Sequence, residues 1–137
     1  MLSHKTQYRV RYADTDKMGF AHHANYLRWF EIGRSELFRH MGLTYKEIEA
    51  RGFFMPLSES YCKFHAPAEY DDLIVVEATL DKNVKVVLTF DYHIYGKDEK
   101  TLLAKGFTKH ACMNSSGRVV RPPDFLVRVV QKNSDPD

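Results

Sequence analysis

The chain is poor in cross-linking chemistry. Its 137 residues include only two cysteines, Cys62 and Cys112. Neither stands in a C-x-x-C or similar spacing, so neither a disulfide framework nor a cysteine-built metal site organises it. Both fall in strand-like segments and read as buried, reduced thiols. Charge of one sign is also lacking: 20 Lys and Arg against 18 Asp and Glu leave a net charge of +2. With no dense Lys/Arg run, the electrostatic footprint of a nucleic-acid partner is absent. No apolar run is long enough to cross a bilayer, and the opening Met-Leu-Ser-His-Lys lacks the apolar core of a signal peptide. The expectation is a cytoplasmic protein with no stable membrane insertion. Repeats, low-complexity tracts and linkers are missing too, which predicts a single domain over residues 1–137 with its core at about 5–126. What is present is apolar material: 44% of residues are hydrophobic and 13% aromatic. A chain of this length buries roughly two thirds of the surface it exposes when unfolded.

The periodicity of that apolar material changes along the chain. Thr6, Tyr8, Val10 and Tyr12 alternate with Gln7, Arg9 and Arg11, which predicts a half-buried strand over 6–13. From Ala24 to Met41 the apolar residues Tyr26, Phe30, Leu37 and Met41 recur, with Gly33, at helical steps. Gly42 then has the place of a helix C-cap. Thr44 and Glu47 have capping-box spacing, which predicts a short second helix to about Arg51. Four strands follow, over 57–65, 73–80, 86–94 and 102–113, with a Gly96-Lys97-Asp98 turn before the last. Pro122-Pro123-Asp124 opens a short helix or extended tail. The order of one strand, one long helix and four strands predicts an α+β fold. An antiparallel five-stranded sheet wrapped around one long central helix satisfies it, with an exposed edge or open face left for oligomerisation.

Chemistry concentrates in Asp14-Thr-Asp16-Lys-Met-Gly19-Phe-Ala-His22-His23-Ala24-Asn25-Tyr26. Here a carboxylate leaves a strand just before a helix begins. A helix N-terminus carries unpaired N–H groups and the positive end of its dipole, and can hold a developing oxyanion. Asp16 beside it supplies a base or a nucleophile, so the pair contains two of the parts acyl transfer needs. Asp14 reads as a loop-holding residue, because Asp bonds its local backbone readily. Gly19 reads as the turn that gives a ligand room, and Asn25 and Tyr26 as the first helical turn and the pocket wall.

Tyr12-Ala-Asp14-Thr-Asp16-Lys-Met-Gly19, His23-Ala-Asn25-Tyr26 and a second block, Tyr61-Cys-Lys-Phe64-His-Ala-Pro67-Ala-Glu-Tyr-Asp71-Asp72-Leu73, together resemble the hotdog-fold acyl-CoA thioesterases of the 4-hydroxybenzoyl-CoA thioesterase type. Within these, the chain is most similar to the branch encoded beside the Tol–Pal envelope genes of bacteria. The resemblance covers nearly all of residues 5–126. It implies a hotdog fold, a dimer sharing a continuous sheet and often paired into a homotetramer, and hydrolysis of an acyl-CoA thioester to free acid and coenzyme A. It implies neither metal nor organic cofactor, coenzyme A being part of the substrate. An acyl carrier protein is an alternative carrier.

Carried over residue by residue, the family's catalytic aspartate falls on Asp16, and the oxyanion donor is a backbone N–H at or next to His23. The His23 ring is an acid for the departing thiol or an orienting group. Gly19, Ala24, Asn25 and Tyr26 are expected at the substrate. Lys82 and Lys85 stand where the family often places cations for the coenzyme A phosphates, although Lys85-Val-Val departs from the Arg and small polar residues common there. Glu31 is expected to pair with Arg28 or Arg34. Tyr12, Phe20, Trp29, Phe53 and Phe54 are expected in the core, and His65, His93 and His110 on sheet faces. Two other functions stay open: a hydroxyacyl thioester dehydratase on the same fold, with His23 and Glu31 as its acid–base pair, and a module that holds acyl-CoA or an acyl carrier protein without turnover.

Overall fold

The computed structural model describes residues 2–134. Strand β1 (Leu2–Arg9) turns Leu2, His4, Thr6 and Tyr8 inward and exposes Ser3, Lys5, Gln7 and Arg9. It ends four residues before the expected limit at 13. Val10 N–H leaves the ladder for the Asp72 carbonyl at 2.8 Å, and Tyr12–Asp14 coil into one 3-10 turn. The cause is local: the Asp14 carboxylate takes the Arg11 N–H at 2.9 Å, a side-chain bond that competes with the strand ladder. Tyr12, expected in the core, is 77% exposed as a result.

Helix α1 (Asn25–Met41) follows for 17 residues, with Ala24 at its N-cap. Gly42, at φ +88°, closes it in the left-handed conformation that glycine adopts without strain. Its apolar stripe buries Tyr26, Trp29, Phe30, Leu37 and Phe38, each contributing about 1.5–3 kcal/mol on leaving water. Thr44 accepts the Glu47 N–H at 3.2 Å and caps α2 (Tyr45–Ala50).

Four further strands complete the main sheet: β3 (Leu57–Phe64), β4 (Leu73–Leu80), β5 (Leu88–Tyr95) and β6 (Leu102–His110). The order is β1-β4-β5-β6-β3, every pair antiparallel. The α1 stripe and the inward side chains of β4 and β5, among them Ile74, Val76, Ala78, Phe90 and Tyr92, form one core. Two strand expectations need correction. β5 begins at Leu88, leaving Val86 and Val87 exposed in the loop. The last long strand breaks at Ala111, whose N–H bonds the Pro56 carbonyl at 3.1 Å. That break lets β7 (Cys112–Asn114) join β2 (Phe53–Phe54) and β8 (Val119–Val120) in a small second sheet absent from the sequence reading. The C-terminal segment is a helix, α3 (Asp124–Asn133), which buries Leu126 and Val130.

Both edges of the main sheet are unpaired in the single chain. On the β3 edge Leu57, Tyr61 and Phe64 are each about half exposed. No helix among the described residues is long and apolar enough to cross a membrane.

Candidate active site

Asp14 is the fixed point from which the site is built. It is 1% exposed. Its Oδ2 accepts the Tyr8 hydroxyl at 2.8 Å and the Arg11 N–H at 2.9 Å, and Arg28 Nη1 lies 3.7 Å from Oδ1. Its carbonyl accepts the His22 N–H at 2.8 Å and Asn25 Nδ2 at 2.7 Å. One buried residue therefore ties β1, the loop after it and the first turn of α1 together. A buried carboxylate is stable there because its oxygens are supplied with donors.

From Asp14 the chain makes a tight hairpin whose stem is the Thr15–Ala21 bridge. Asp16 N–H bonds the Phe20 carbonyl at 2.8 Å, and the Asp16 carbonyl accepts Gly19 N–H at 3.1 Å. Asp16 Oδ1 accepts Met18 N–H at 2.8 Å and Phe20 N–H at 3.3 Å. Gly19 sits at φ +83° with open space where a Cβ would stand, so glycine serves the backbone conformation here and not a packing need. The carboxylate is held by one oxygen. Oδ2 bonds no described residue, and the side chain is exposed.

The entrance of α1 is less satisfied. Asn25 N–H bonds the His22 carbonyl at 3.0 Å, Tyr26 N–H the His23 carbonyl at 3.2 Å, and Ala24 N–H His22 Nδ1 at 3.3 Å. The His23 N–H donates to no described group. An open donor at the positive end of a helix dipole can receive a negative oxygen. Asn25 is buried, and both ends of its amide are engaged, Nδ2 with Asp14 and Oδ1 with Arg28 Nη1 at 2.7 Å. It braces the carboxylate loop against the helix.

The His23 ring is exposed and lines an open groove of about 290 Å³ with Ala21, Tyr26, Phe64 and Pro67. Tyr26 forms its buried wall. Its ring packs 4.9 Å from that of Phe64, its hydroxyl accepts Ala68 N–H at 3.4 Å, and burial pushes its pKa upward. Gly19, Ala24 and Asp16 stand around this region, on the hairpin and the helix entrance. Lys82 and Lys85 do not. They lie in the loop after β4, at the Leu80 end of a strand whose Leu73 end pairs with Arg9. Seven strand steps separate the two ends, roughly 23 Å.

Several residues stand elsewhere than the sequence reading put them. Glu31 pairs with neither Arg28 nor Arg34. Phe54 is exposed, whereas Trp29 is buried. Cys112 is buried and Cys62 partly so, both unbridged, and burial raises the Cys62 thiol to about 11, far from thiolate reactivity. Among the described residues no three His, Cys, Asp or Glu side chains converge as a metal site.

His110 stands on a sheet face, as expected, and it opens a network that sequence reasoning missed. It is 1% exposed, on the inner face of β6. Its ring lies 3.2 Å from the Met55 carbonyl through Nδ1 and 3.0 Å from Thr108 Oγ1 through Nε2. A carbonyl only accepts, so Nδ1 carries the proton and Nε2 accepts from Thr108. Thr108 then accepts from Tyr92 at 2.7 Å, and Tyr92 from Arg34 Nη1 at 3.4 Å. Each hydrogen in this chain has one place to go. The alternation Thr108, His110 within β6 is the signal that could have turned His110 inward.

Burial, and then the Arg34 charge, push the His110 pKa down to about 4, against a smaller opposing effect of the Met55 carbonyl. The unfolded chain binds this proton at about 6.5. The stabilisation is therefore complete above that pH and is lost as pH falls toward 4, by about 2 kcal/mol at pH 5. Urea midpoints measured from pH 7 to 4.5 should fall accordingly, and His110→Gln should flatten that slope. Equal slopes in the two proteins would contradict the neutral buried histidine.

An antiparallel five-stranded sheet packs against helix α1, and the Asp16 hairpin stands at that helix's entrance. Residues 10–130 match the thioesterase-like superfamily, and the chain belongs to it. Among relatives, the acyl-CoA thioesterase YbgC of Haemophilus influenzae is 31% identical over 110 residues, 77% of each chain. A hypothetical protein of Thermus thermophilus superimposes with a TM-score of 0.88 at 35% identity, over 95% of this chain and 98% of that one. The DHNA-CoA thioesterase of Staphylococcus aureus superimposes with a TM-score of 0.87 at 26% identity, over 96% and 91%.

Proposed function

We propose that this chain is an acyl-CoA thioesterase, hydrolysing an acyl-CoA thioester to the free acid and coenzyme A. The observation that carries the reading is a carboxylate with one free oxygen, Asp16 Oδ2, on a hairpin anchored through Asp14 to the helix entrance where the His23 N–H is open. The Asp16 carboxylate takes a proton from water as the water oxygen attacks the thioester carbonyl. The oxyanion so formed is received by the His23 N–H. Its collapse breaks the C–S bond, and the departing thiolate takes a proton from Asp16 or from the His23 ring. Direct attack by Asp16, giving an anhydride that water opens, balances equally; the exposure of the hairpin favours the water route. Coenzyme A is part of the substrate, and the reaction needs no further cofactor.

The rest of the reading follows from the family and the free edge. The chain is one hotdog domain over 1–137, its sheet curved around α1. It works in the cytoplasm as a homodimer joined at β3, with a homotetramer formed by pairing of dimers. Gly19, Ala24, Asn25 and Tyr26 shape the thioester end of the site. Lys82 and Lys85, remote within one chain, hold the coenzyme A phosphates from another copy, and an acyl carrier protein is an alternative to coenzyme A.

Free-thiol release from a panel of short, long and aromatic acyl-CoAs tests the assignment. Turnover on at least one member is expected. Tight binding with no thiol released from any member would favour a binding module, and hydroxyacyl product from an enoyl thioester would favour a dehydratase.

A further inference from the structure

Exposed aromatic surface gathers beside the Asp16 hairpin. Tyr12 is 77% exposed and Tyr70 54% exposed, and the two rings meet edge to face with centroids 5.6 Å apart. They border an open groove of about 460 Å³ together with Arg9, Arg11 and Asp71. The backbone beneath it is pinned. Val10 N–H bonds the Asp72 carbonyl at 2.8 Å, and Asp71 N–H bonds the Val10 carbonyl at 2.9 Å. Contiguous exposed apolar surface rimmed by charge marks an interaction site.

Charge narrows what the groove takes. No described carboxylate lies within ion-pair distance of Arg9 or Arg11. Arg9 Nη1 donates to a neutral group, the Asp71 carbonyl, at 2.8 Å, and the Arg11 guanidinium stands 5.8 Å from the Tyr8 ring centroid. Both keep further N–H donors. Two guanidinium groups against the Asp71 carboxylate leave the lining formally positive. Edge-to-face packing leaves ring faces open. A flat base stacks on such a face, and a guanidinium fork meets a phosphate beside it. An acyl chain would use the rings and not the cations, and a free phosphate the cations and not the rings. A nucleotide uses both.

The position of the groove says which nucleotide. Tyr70 N–H donates to the Gly19 carbonyl at 3.2 Å, and the Tyr12 carbonyl accepts Thr15 Oγ1 at 2.7 Å. Both tyrosines are thus bonded to the hairpin that carries Asp16. Tyr12 and Asp16 are four residues apart, so their Cα atoms lie within about 14 Å even at full extension. An acyl-CoA carries its thioester and its adenine nucleotide at opposite ends of a pantetheine arm, which spans such a gap.

Resting on the thioesterase reading, we propose that Tyr12 and Tyr70 hold the adenine ring of the substrate's coenzyme A, with Arg9 and Arg11 on a phosphate beside it. The contact lies within one chain and is additional to that of Lys82 and Lys85.

The test compares a hydrolysed acyl-CoA with the same acyl group on pantetheine, which keeps the thioester and lacks the nucleotide. Wild-type KM should be at least about tenfold lower for the acyl-CoA, and adenosine 3′,5′-bisphosphate should compete with it. Tyr70→Ala should raise both the acyl-CoA KM and the Ki of that competitor at least about fivefold, the lower end of base stacking on an aromatic ring. KM for the pantetheine thioester should move far less. Arg11→Gln should raise the same two values and weaken their dependence on salt. Both side chains are exposed, and circular dichroism checks that the variants fold. Equal wild-type KM for the two thioesters, or an unchanged acyl-CoA KM in folded Tyr70→Ala, overturns the proposal and leaves thioester hydrolysis standing. An equal rise in KM for both thioesters would mean a disturbed hairpin, and overturns it too. A change of oligomeric state with KM unmoved would make this face a contact between copies instead. Absence of thiol release from every thioester would remove the thioesterase reading, and this one with it.

Discussion

Asp16→Asn should lower kcat for thiol release by at least about a hundredfold, the scale of a positioned acid–base group, with KM changing far less. The substitution is well matched to the question because the hairpin does not depend on the charge. Asn retains the Oδ1 that accepts the Met18 and Phe20 N–H groups, and the backbone bonds between Asp16, Gly19 and Phe20 are untouched. What disappears is the free Oδ2, the only part of the side chain that no described residue uses. The amide that replaces it neither takes a proton from water nor attacks a carbonyl. A loss confined to kcat marks an interaction made only in the transition state. Thiol release should be followed at saturating acyl-CoA, alongside circular dichroism and the oligomeric state of the variant. Turnover close to wild type in a folded variant would mean that another carboxylate does the chemistry.

Gly106→Ala should destabilise the protein by about 3 kcal/mol or more, at the upper end of overpacking effects, and lower Tm by about 10 °C. Gly106 lies in β6, opposite Cys62 of β3 on one side and Tyr92 of β5 on the other. A methyl there would run into the backbone carbonyl of Tyr61 and reach 3.0 Å from Phe30 Cε2. A flexible side chain could yield, but the Tyr61 carbonyl belongs to a strand paired with β6. Phe30 is itself fixed, stacked on Tyr92 with ring centroids 4.2 Å apart. Strain released by moving β3 would shift the free edge of the sheet. A scan within about 2 °C of wild type would show that β3 is not held at this register.

The places where sequence and structure part are local and share a cause. Period alone carried β1 to residue 13, but the Asp14 carboxylate captures the Arg11 N–H and bends the chain into a turn. Alternation likewise ran β6 through Met113, and the break at Ala111 depends on the Pro56 carbonyl, 55 residues earlier in the chain. His110 looked like any strand histidine. Its ring is satisfied by Thr108 two residues earlier and by the Met55 carbonyl 55 residues earlier, and the Arg34 charge from α1 adds to burial in lowering its pKa.

By itself the sequence determined the elements whose signals are short-range. These are the 17-residue α1 closed by Gly42, the Thr44 cap, the five main strands, and Asp16 with the Gly19 turn just before a helix entrance. Hydrophobic period, capping chemistry and backbone-bonding side chains act over a few residues, so a single sequence displays them. Only the tertiary structure decided which strands are neighbours, that Lys82 and Lys85 lie at the far end of the sheet from Asp16, and that Arg34, Tyr45, Tyr92, Thr108 and His110 form one polar chain beside a cavity. Those facts rest on contacts between residues tens of positions apart. Packing, burial and the pairing of buried donors with acceptors choose such contacts, and none of these is a property of a local stretch of sequence.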